Sequence, residues 1–378
     1  MQSKRIKYFS YRGCTDSIKR RNNSPAADTK IDYIIEVLNR CGYGVDHISR
    51  AESSINKCLP GYVEKKGCNT YRYFASLRKT SSVLRVVNRW MVDLQFFLWC
   101  LLNIKKGETI LVYHSLGYDS AFIMLKRLKN FTLIGDIEEI YQDVHRQSKS
   151  KSRNEYKFID ICDKFMFPNT LLNSRLNRNN RPYLVVHGIY KNEDKIVSHF
   201  DDGNIHLLYA GTFDPVKGGV NAAIEVAKFL PIGYHLHITG FGTTEQIEET
   251  KKNICDAESV SSCIITYHGF LPLTDIKKLM QQCHIGLCTQ DPSTLLNLTS
   301  FPSKILNYMA NGLNVISGRN AAIEESYVGD LIQYYDNQNP QEIAAAILIS
   351  VIDGTKNQER LKKLDCDFAN GLSKLLGK

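Results

Sequence analysis

The sequence predicts an α/β protein made of two doubly wound parallel-sheet domains. Three observations lead there. Strand-like and helix-like stretches alternate in two long series, a polar stretch without period separates the series, and 378 residues exceed one ordinary core. Strands that alternate with helices form parallel sheets with both faces covered. Residues 1–190 are expected to form the first domain, 191–204 a linker, 205–352 the second domain, and 353–378 a helical tail.

The first series opens with a strand at Arg5–Tyr11 and a loop from Arg12 to Asp28 that holds Gly13 and the pair Arg20-Arg21. Such a pair can meet phosphate or an anionic membrane, but is most often solvated. Asp28 or Thr29 can cap a helix reaching Arg40, with Ile31, Ile34, Ile35 and Leu38 on one face. Gly42-Tyr43-Gly44 stops it, and Val45–Ser49 completes a βαβ unit. Val83–Ile104 is the most apolar segment, with Val87, Trp90, Met91, Leu94, Leu98 and Leu101 at helical period. A buried helix is the expectation there; the sharper alternative is an apolar face resting on a membrane or a lipid-linked acceptor. Strands follow at Thr109–Ser115, Thr132–Ile137, Lys164–Pro168 and Tyr183–His187, with a helix at Tyr118–Lys129. Ligands bind beyond the carboxyl ends of parallel strands, which puts Gly13, His114, Asp136 and Glu138 on the ligand side.

The second series reads strand Ile205–Gly211, helix Lys217–Phe229, strand His235–Thr239, helix Thr243–Cys255, strand Ile264–His268, helix Thr274–Gln282 and strand Ile285–Thr289. The stretch Phe301–Gly312 is then a loop and a short helix, followed by a strand at Asn314–Ser317. Pro302 suits the helix start, Ser303 can cap its first turn, and Asn311-Gly312 tolerate the left-handed stop. A helix tip carrying Ser303 and Lys304 favours phosphate, and Asn307 lies one turn deeper on the same face. Three more loops sit at strand carboxyl ends. The run from Gly211 to Gly219 places Lys217 and Gly218 where a helix opens, Gly240-Phe241-Gly242 permits close backbone approach, and His268-Gly269-Phe270 offers backbone groups to a base edge. Together they make a nucleotide-diphosphate site.

The net charge of +9 suits phosphate-bearing ligands or an anionic membrane surface. The basic residues are spread out and no accompanying motif marks a nucleic-acid binder. Eleven cysteines, an odd count without a C-x-x-C pair, and no paired histidine spacing argue against a disulfide framework and a zinc site, and for a reducing cytosol. The amino terminus lacks a signal-peptide core, and no run of eighteen uncharged apolar residues is present. The only Asp-x-Asp, Asp365-Cys366-Asp367, falls on the basic tail, where a solvated helix face is expected.

The pieces Tyr209-Ala210-Gly211-Thr212, Lys217-Gly218, Thr239-Gly240-Phe241-Gly242, His268-Gly269 and Phe301–Ile316 resemble a GT-B glycosyltransferase, similar to glycosyltransferase family 4 and its bacterial polysaccharide-building branches. Gly42-Tyr43-Gly44-Val45 and Asp136–Tyr141 are similar in pattern. The resemblance implies two Rossmann-like domains facing across a cleft, with the tail at 353–378 crossing back to the first, and a nucleotide-sugar donor, most simply a UDP-sugar, on the second. It implies a glycan or polyprenyl-linked oligosaccharide acceptor on the first, and transfer with retention and without metal or other cofactor. It assigns the donor diphosphate to Gly13, Lys217, Gly218, Ser303 and Lys304, and the ribose and base to Gly240, Gly242, Gly269, Phe270 and Asn307. Asp136, Glu138 and His114 are the catalytic candidates. Two positions where the family has glutamates hold Thr299 and Asn307. An amide still pairs with hydroxyls, but Thr299 supplies no carboxylate. A cytoplasmic place follows, with peripheral contact at the inner face of the membrane. The rival expectations are a nucleotide-sugar epimerase on the same scaffold and a non-catalytic nucleotide-sugar-binding assembly subunit.

Overall fold

The computed structural model describes every residue except 1–3, 15–18, 23, 79, 145–147, 215–218, 292–300, 351–352 and 378. The chain divides into two compact units. One comprises Met1–Pro168, Leu172–Val186 and Phe368–Lys378; the other comprises Asn169–Leu171 and His187–Asp367.

The first unit contains β1 (Lys4–Ser10), α1 (Pro25–Arg40), β2 (Tyr43–Ser49), β3 (Tyr62–Lys66), β4 (Asn69–Tyr73), α2 (Ser82–Asn103), β5 (Thr109–Tyr113), α3 (Asp119–Leu128), β6 (Thr132–Asp136), α4 (Tyr141–Val144), α5 (Lys149–Ile161) and β7 (Lys164–Phe167). Helix α6 (Thr170–Leu176) and strand β8 (Tyr183–Val185) follow. The sheet order is β3-β4-β2-β1-β5-β6-β7-β8, parallel except for the β3–β4 hairpin. Chain direction across the sheet reverses at β1 and β5, so their carboxyl ends flank a switch point.

Three local findings depart from the expectations. Helix α1 starts at Pro25 rather than at Asp28, with Ser24 as its extended cap residue, because proline's fixed φ suits a first helical position. The hairpin β3–β4 was not foreseen; Gly67 turns it at φ +58. Arg21 is buried rather than solvated. Its guanidinium donates to the carbonyls of Ala51 (2.8 Å) and Pro60 (3.2 Å) and lies over the rings of Tyr62 and Tyr73. Beneath one face of the sheet, Phe9 meets Phe96 and Phe122 edge-on at 5.9 and 5.1 Å, and helices α2, α3 and α5 share that core.

The second unit contains β9 (Ile205–Thr212), α7 (Val220–Val226), β10 (Tyr234–Phe241), α8 (Thr244–Glu258), β11 (Ile264–Tyr267), α9 (Leu273–Gln282), β12 (Ile285–Cys288), α10 (Ser303–Ala310), β13 (Asn314–Gly318), α11 (Ala321–Glu324), β14 (Ile332–Tyr335), α12 (Pro340–Leu348) and α13 (Thr355–Leu375). Helix α13 counts with this unit to Asp367 and with the first from Phe368. The sheet is wholly parallel, ordered β11-β10-β9-β12-β13-β14, with its switch point at β9 and β12. Residues 191–204 belong to this unit, where Gln281 Oε1 accepts the N–H of Ile196 at 2.7 Å.

Tyr308 fixes helix α10 on this sheet. Its ring is fully buried against Gly286 of β12, so closely that a Cβ there would overlap the ring. Its hydroxyl accepts the N–H of Ala210 on β9 at 2.9 Å. One aromatic residue thereby spans the two switch-point strands. Gly286→Ala should cost about 1–3 kcal/mol of stability by overpacking. Urea unfolding checks this, and an unchanged midpoint would contradict the contact.

Candidate functional site

In the second unit the described residues of the expected loops lie at or just beyond the carboxyl ends of β9, β10 and β11, and helix α10 follows β12 in the chain. Helix α10 ends as expected, with Asn311 as its C-cap and Gly312 at φ +87. Its start differs. Pro302 is the extended cap residue and Ser303 the first helical one, so the Ser303 side chain makes no cap hydrogen bond. Asn307 is exposed on this helix, and its carbonyl accepts from the side chain of Asn311 at 2.8 Å.

Lys304 sits one turn before Tyr308. Its ammonium is buried 4.6 Å from the centroid of Tyr209, and a Cβ on Gly211 would lie 3.1 Å from it. No hydrogen-bond partner is present among the described residues, and burial holds its pKa below the ordinary lysine value. A cation so placed under the end of β9 is short of an anion.

Lys217, Gly218 and Thr299 lie outside the described residues. The next residue of that loop, Gly219, has φ +116, and its carbonyl accepts the hydroxyl of Thr289 at 2.7 Å. The loops after β9 and β12 therefore meet at the switch point. Gly240 lies inside β10 rather than in a loop: it pairs with Gly211, and a Cβ there would strike the Gly211 carbonyl. Strand packing accounts for that glycine. Gly242 abuts Phe213 and Gln246. Gly269 has φ +65, and its carbonyl already accepts from Gly240 N–H (3.1 Å) and Thr239 Oγ1 (2.8 Å). Phe270 is 74% exposed, edge-on to the 58% exposed Phe241 at 6.4 Å. Phe241 was not foreseen; its place on the last residue of β10 was hidden by reading that strand two residues short.

The first unit gathers the acid candidates at the end of β6. Asp136 is fully buried; Tyr8 donates its hydroxyl to Oδ2 at 3.1 Å, and Oδ1 has no partner among the described residues. Burial, with nearby Glu138 adding to it and Lys30 opposing, raises its pKa to about 8. Glu138 is partly exposed and ion-paired with Lys30 of α1. That lysine has no local signal, since 108 positions separate the pair. His114 donates its backbone N–H to the Asp136 carbonyl at 2.9 Å. Its ring is 2% exposed, stacks on Phe158 at 5.3 Å, and lies 3.5 Å from Asp119. Gly13 is buried, and its N–H is committed to the Asp28 carboxylate at 3.2 Å rather than open to a phosphate.

Residues 191–364 match the model of the family described as Glycosyl transferases group 1. The chain has the GT-B fold, and its second unit carries a domain of the glycosyl transferases group 1 kind. The GT-B fold extends over both units. A trehalose-6-phosphate structure from E. coli bound with UDP-2-fluoro glucose aligns over 99% of each chain at TM-score 0.67 and 10% identity. A trehalose-6-phosphate synthase studied with bisubstrate glycomimetics for glycosyltransfer with retention aligns over 98% of this chain and 97% of its own, at TM-score 0.63 and 12% identity. The lipopolysaccharide outer core galactosyltransferase WaaB in its apo form aligns over 97% and 99%, at TM-score 0.64 and 14% identity. No curated protein matches the chain in sequence.

Six histidines of the second unit also cluster: His199, His206, His235, His237, His268 and His284. His235 and His237 are a paired spacing after all, two apart on one strand, which a search for helical ligand pairs passes over. Burial first, and neighbouring histidines second, lower His237 to about 3.

Asp136 gives the transferase a pH signature. Its folded pKa of about 8 exceeds the ordinary 3.8, so the folded chain keeps a proton that the unfolded chain releases. Stability from this group is full below the unfolded value and is lost as pH rises toward the folded one. Asp136→Asn keeps an acceptor for Tyr8 and should flatten that fall. Thermal midpoints from about pH 4 to about pH 8 test it; parallel wild-type and variant curves would refute the shift.

Proposed function

We propose that this transferase moves a hexose-type sugar, most simply from a UDP-sugar, to a glycan or polyprenyl-linked oligosaccharide in cell-surface polysaccharide synthesis. Transfer would proceed with retention and without metal in the transfer step. The buried, unpartnered Lys304 ammonium at the β9–β12 switch point carries the reading. A diphosphate supplies the anion that this cation lacks. As the bond to the sugar breaks, charge grows on the diphosphate oxygens, and a preorganised cation in a dry site stabilises it most. Lys217 and Gly218 belong to the same role, and Ser303 offers a helix-tip hydroxyl. Asn307, exposed one turn along, takes the ribose hydroxyls, while Gly269 and the exposed Phe241–Phe270 pair take the base. Glu138 is the acceptor-side group because it alone of the three acid candidates is partly exposed; Asp136 and His114 act as positioning residues behind it. The UDP-sugar in the E. coli structure, retention in the synthase study and the lipopolysaccharide role in the WaaB name support this reading by analogy.

The acceptor side has its own observation. On helix α2 only Asn88, Val92, Phe96 and Cys100 are buried, while Val83, Val86, Val87, Trp90, Leu94, Leu98 and Leu102 are 46–81% exposed. The expected buried helix is therefore an amphipathic helix with its apolar side outward. Exposed cations flank it and the outer sides of α3 and α5: Arg85, Arg89, Lys105, Lys106, Arg127, Lys149, Lys151, Arg153 and Lys157, against exposed Asp160. An apolar stripe rimmed by positive charge fits an anionic membrane surface. No helix among the described residues is long and apolar enough to cross a membrane.

A thermal-shift screen of nucleoside diphosphates and nucleotide sugars should single out uridine compounds. Lys304→Ala should weaken donor binding at least about tenfold, the scale of one lost charge-assisted contact, and Asn307→Ala should hurt a nucleoside diphosphate more than pyrophosphate. Unchanged donor affinity in Lys304→Ala would sink the site. Donor binding without sugar transfer to any lipid-linked acceptor would favour the assembly-subunit reading.

Cosedimentation with vesicles should show binding to anionic but not zwitterionic bilayers. The pair Trp90→Ala and Leu94→Ala should reduce it several-fold without touching donor binding. Wild-type protein that ignores anionic vesicles would remove the membrane reading alone.

A further inference from the structure

We propose that His206, His235 and His237 form a binding site for a divalent transition-metal ion of the zinc class, independent of the donor site. The placement starts in the sequence. Residues two apart on a strand face the same way, which puts His235 and His237 of β10 on one side of the sheet. His206 of β9 is the register partner of His235. Their neighbours Leu207, Leu236 and Ile238 join the core on the opposite side. Three imidazoles from two adjacent strands thus stand together, each offering a ring nitrogen within 4.8 Å of the others.

The second nitrogen of each ring gives the set its meaning. His206 Nε2 lies 2.9 Å from Asp202 Oδ1, His237 Nδ1 lies 2.9 Å from His268 Nε2, and His235 Nε2 lies 2.8 Å from Thr266 Oγ1. A metal-binding histidine almost always donates its far N–H to a carboxylate, carbonyl or water, as His206 can to Asp202, which fixes the tautomer and turns the other lone pair toward the ion. Inside the cluster, His206 Nδ1 and His237 Nε2 share a hydrogen bond at 2.8 Å, whose proton an ion would displace, and the buried His235 Nδ1 has no hydrogen-bond partner among the described residues. Turned onto an ion, the three nitrogens would take the ~2.0–2.1 Å of zinc–imidazole bonds. An all-imidazole set suits zinc, copper or nickel rather than magnesium or calcium. Phe200 stacks on His237 at 5.3 Å and lies 4.3 Å from His206, covering the site with an apolar ring.

The site lies toward the amino ends of β9 and β10, whereas the donor loops leave their carboxyl ends. An ion here would clamp the two strands together. Through His268 it would also brace the loop that holds Gly269.

The test uses the full chain, free of any histidine tag, stripped with a chelator and alkylated at its exposed thiols. Zn2+ should bind at one per chain in calorimetry and raise the thermal midpoint, and Co2+ should show visible bands of a nitrogen-ligated ion. His235→Gln and His237→Gln should abolish stoichiometric binding and the thermal gain. Asp202→Asn should weaken affinity about 10–100-fold, as expected for an outer partner. Absence of one-to-one binding in the wild type, or unchanged affinity in His235→Gln, would overturn the proposal. His235 is half-buried, so its variant decides the matter should His237→Gln fail to fold. Donor binding by the metal-free chain is a separate readout, so loss of the transfer reading leaves this one standing.

Discussion

The second unit depends on the fit of one ring to one glycine. Tyr308 can lie on β12 only because Gly286 has no side chain, and its hydroxyl then reaches the backbone of β9. Everything useful on helix α10 is indexed to that contact. Lys304 is four residues back, so it falls over Tyr209 and beneath Gly211; Asn307 is one residue back, so it turns to solvent. Gly240 plays a matching part next door, letting β10 run close to the carbonyl of Gly211. The ligand-facing edge is thus set by backbone approach, and the charged groups inherit their positions.

Each unit's candidate site also holds a buried ionisable group displaced from its ordinary state. Burial raises Asp136 and lowers Lys304, in both cases disfavouring charge. Their surroundings differ. Asp136 has Tyr8 as a donor and the Glu138–Lys30 pair beside it, so its environment is already nearly complete. Lys304 has an aromatic face and, among the described residues, no oxygen to meet it. The first arrangement is closed by the protein itself; the second is the one on which the proposed donor site rests.

Much of the fold was legible because period and punctuation agreed with it. The strands that open each series, the stop at Asn311-Gly312 and the Thr243 capping box all rest on local chemistry. Three kinds of feature were not legible. The β3–β4 hairpin is short and polar on one side, so its alternation is weak. The burial of Arg21 depends on Tyr62 and Tyr73, some forty to fifty positions away. The outward turn of α2 is invisible to periodicity, which finds a face but not its direction; here the buried stripe is a single row of four residues. At the site, the residue types were readable and their commitments were not. Gly13, Gly240 and Gly269 all engage other parts of the chain, and only coordinates show which glycines serve packing.

The last helix has a consequence for the order of events during synthesis. Phe368 stacks on Tyr33 at 5.7 Å, and Leu372 and Leu375 are buried; all three count with the first unit. That unit therefore cannot finish on the ribosome when Val186 emerges. The face of α1 around Tyr33 must wait, uncovered, while the entire second sheet is made. For that interval the newborn chain carries an apolar face that only its own last helix will cover.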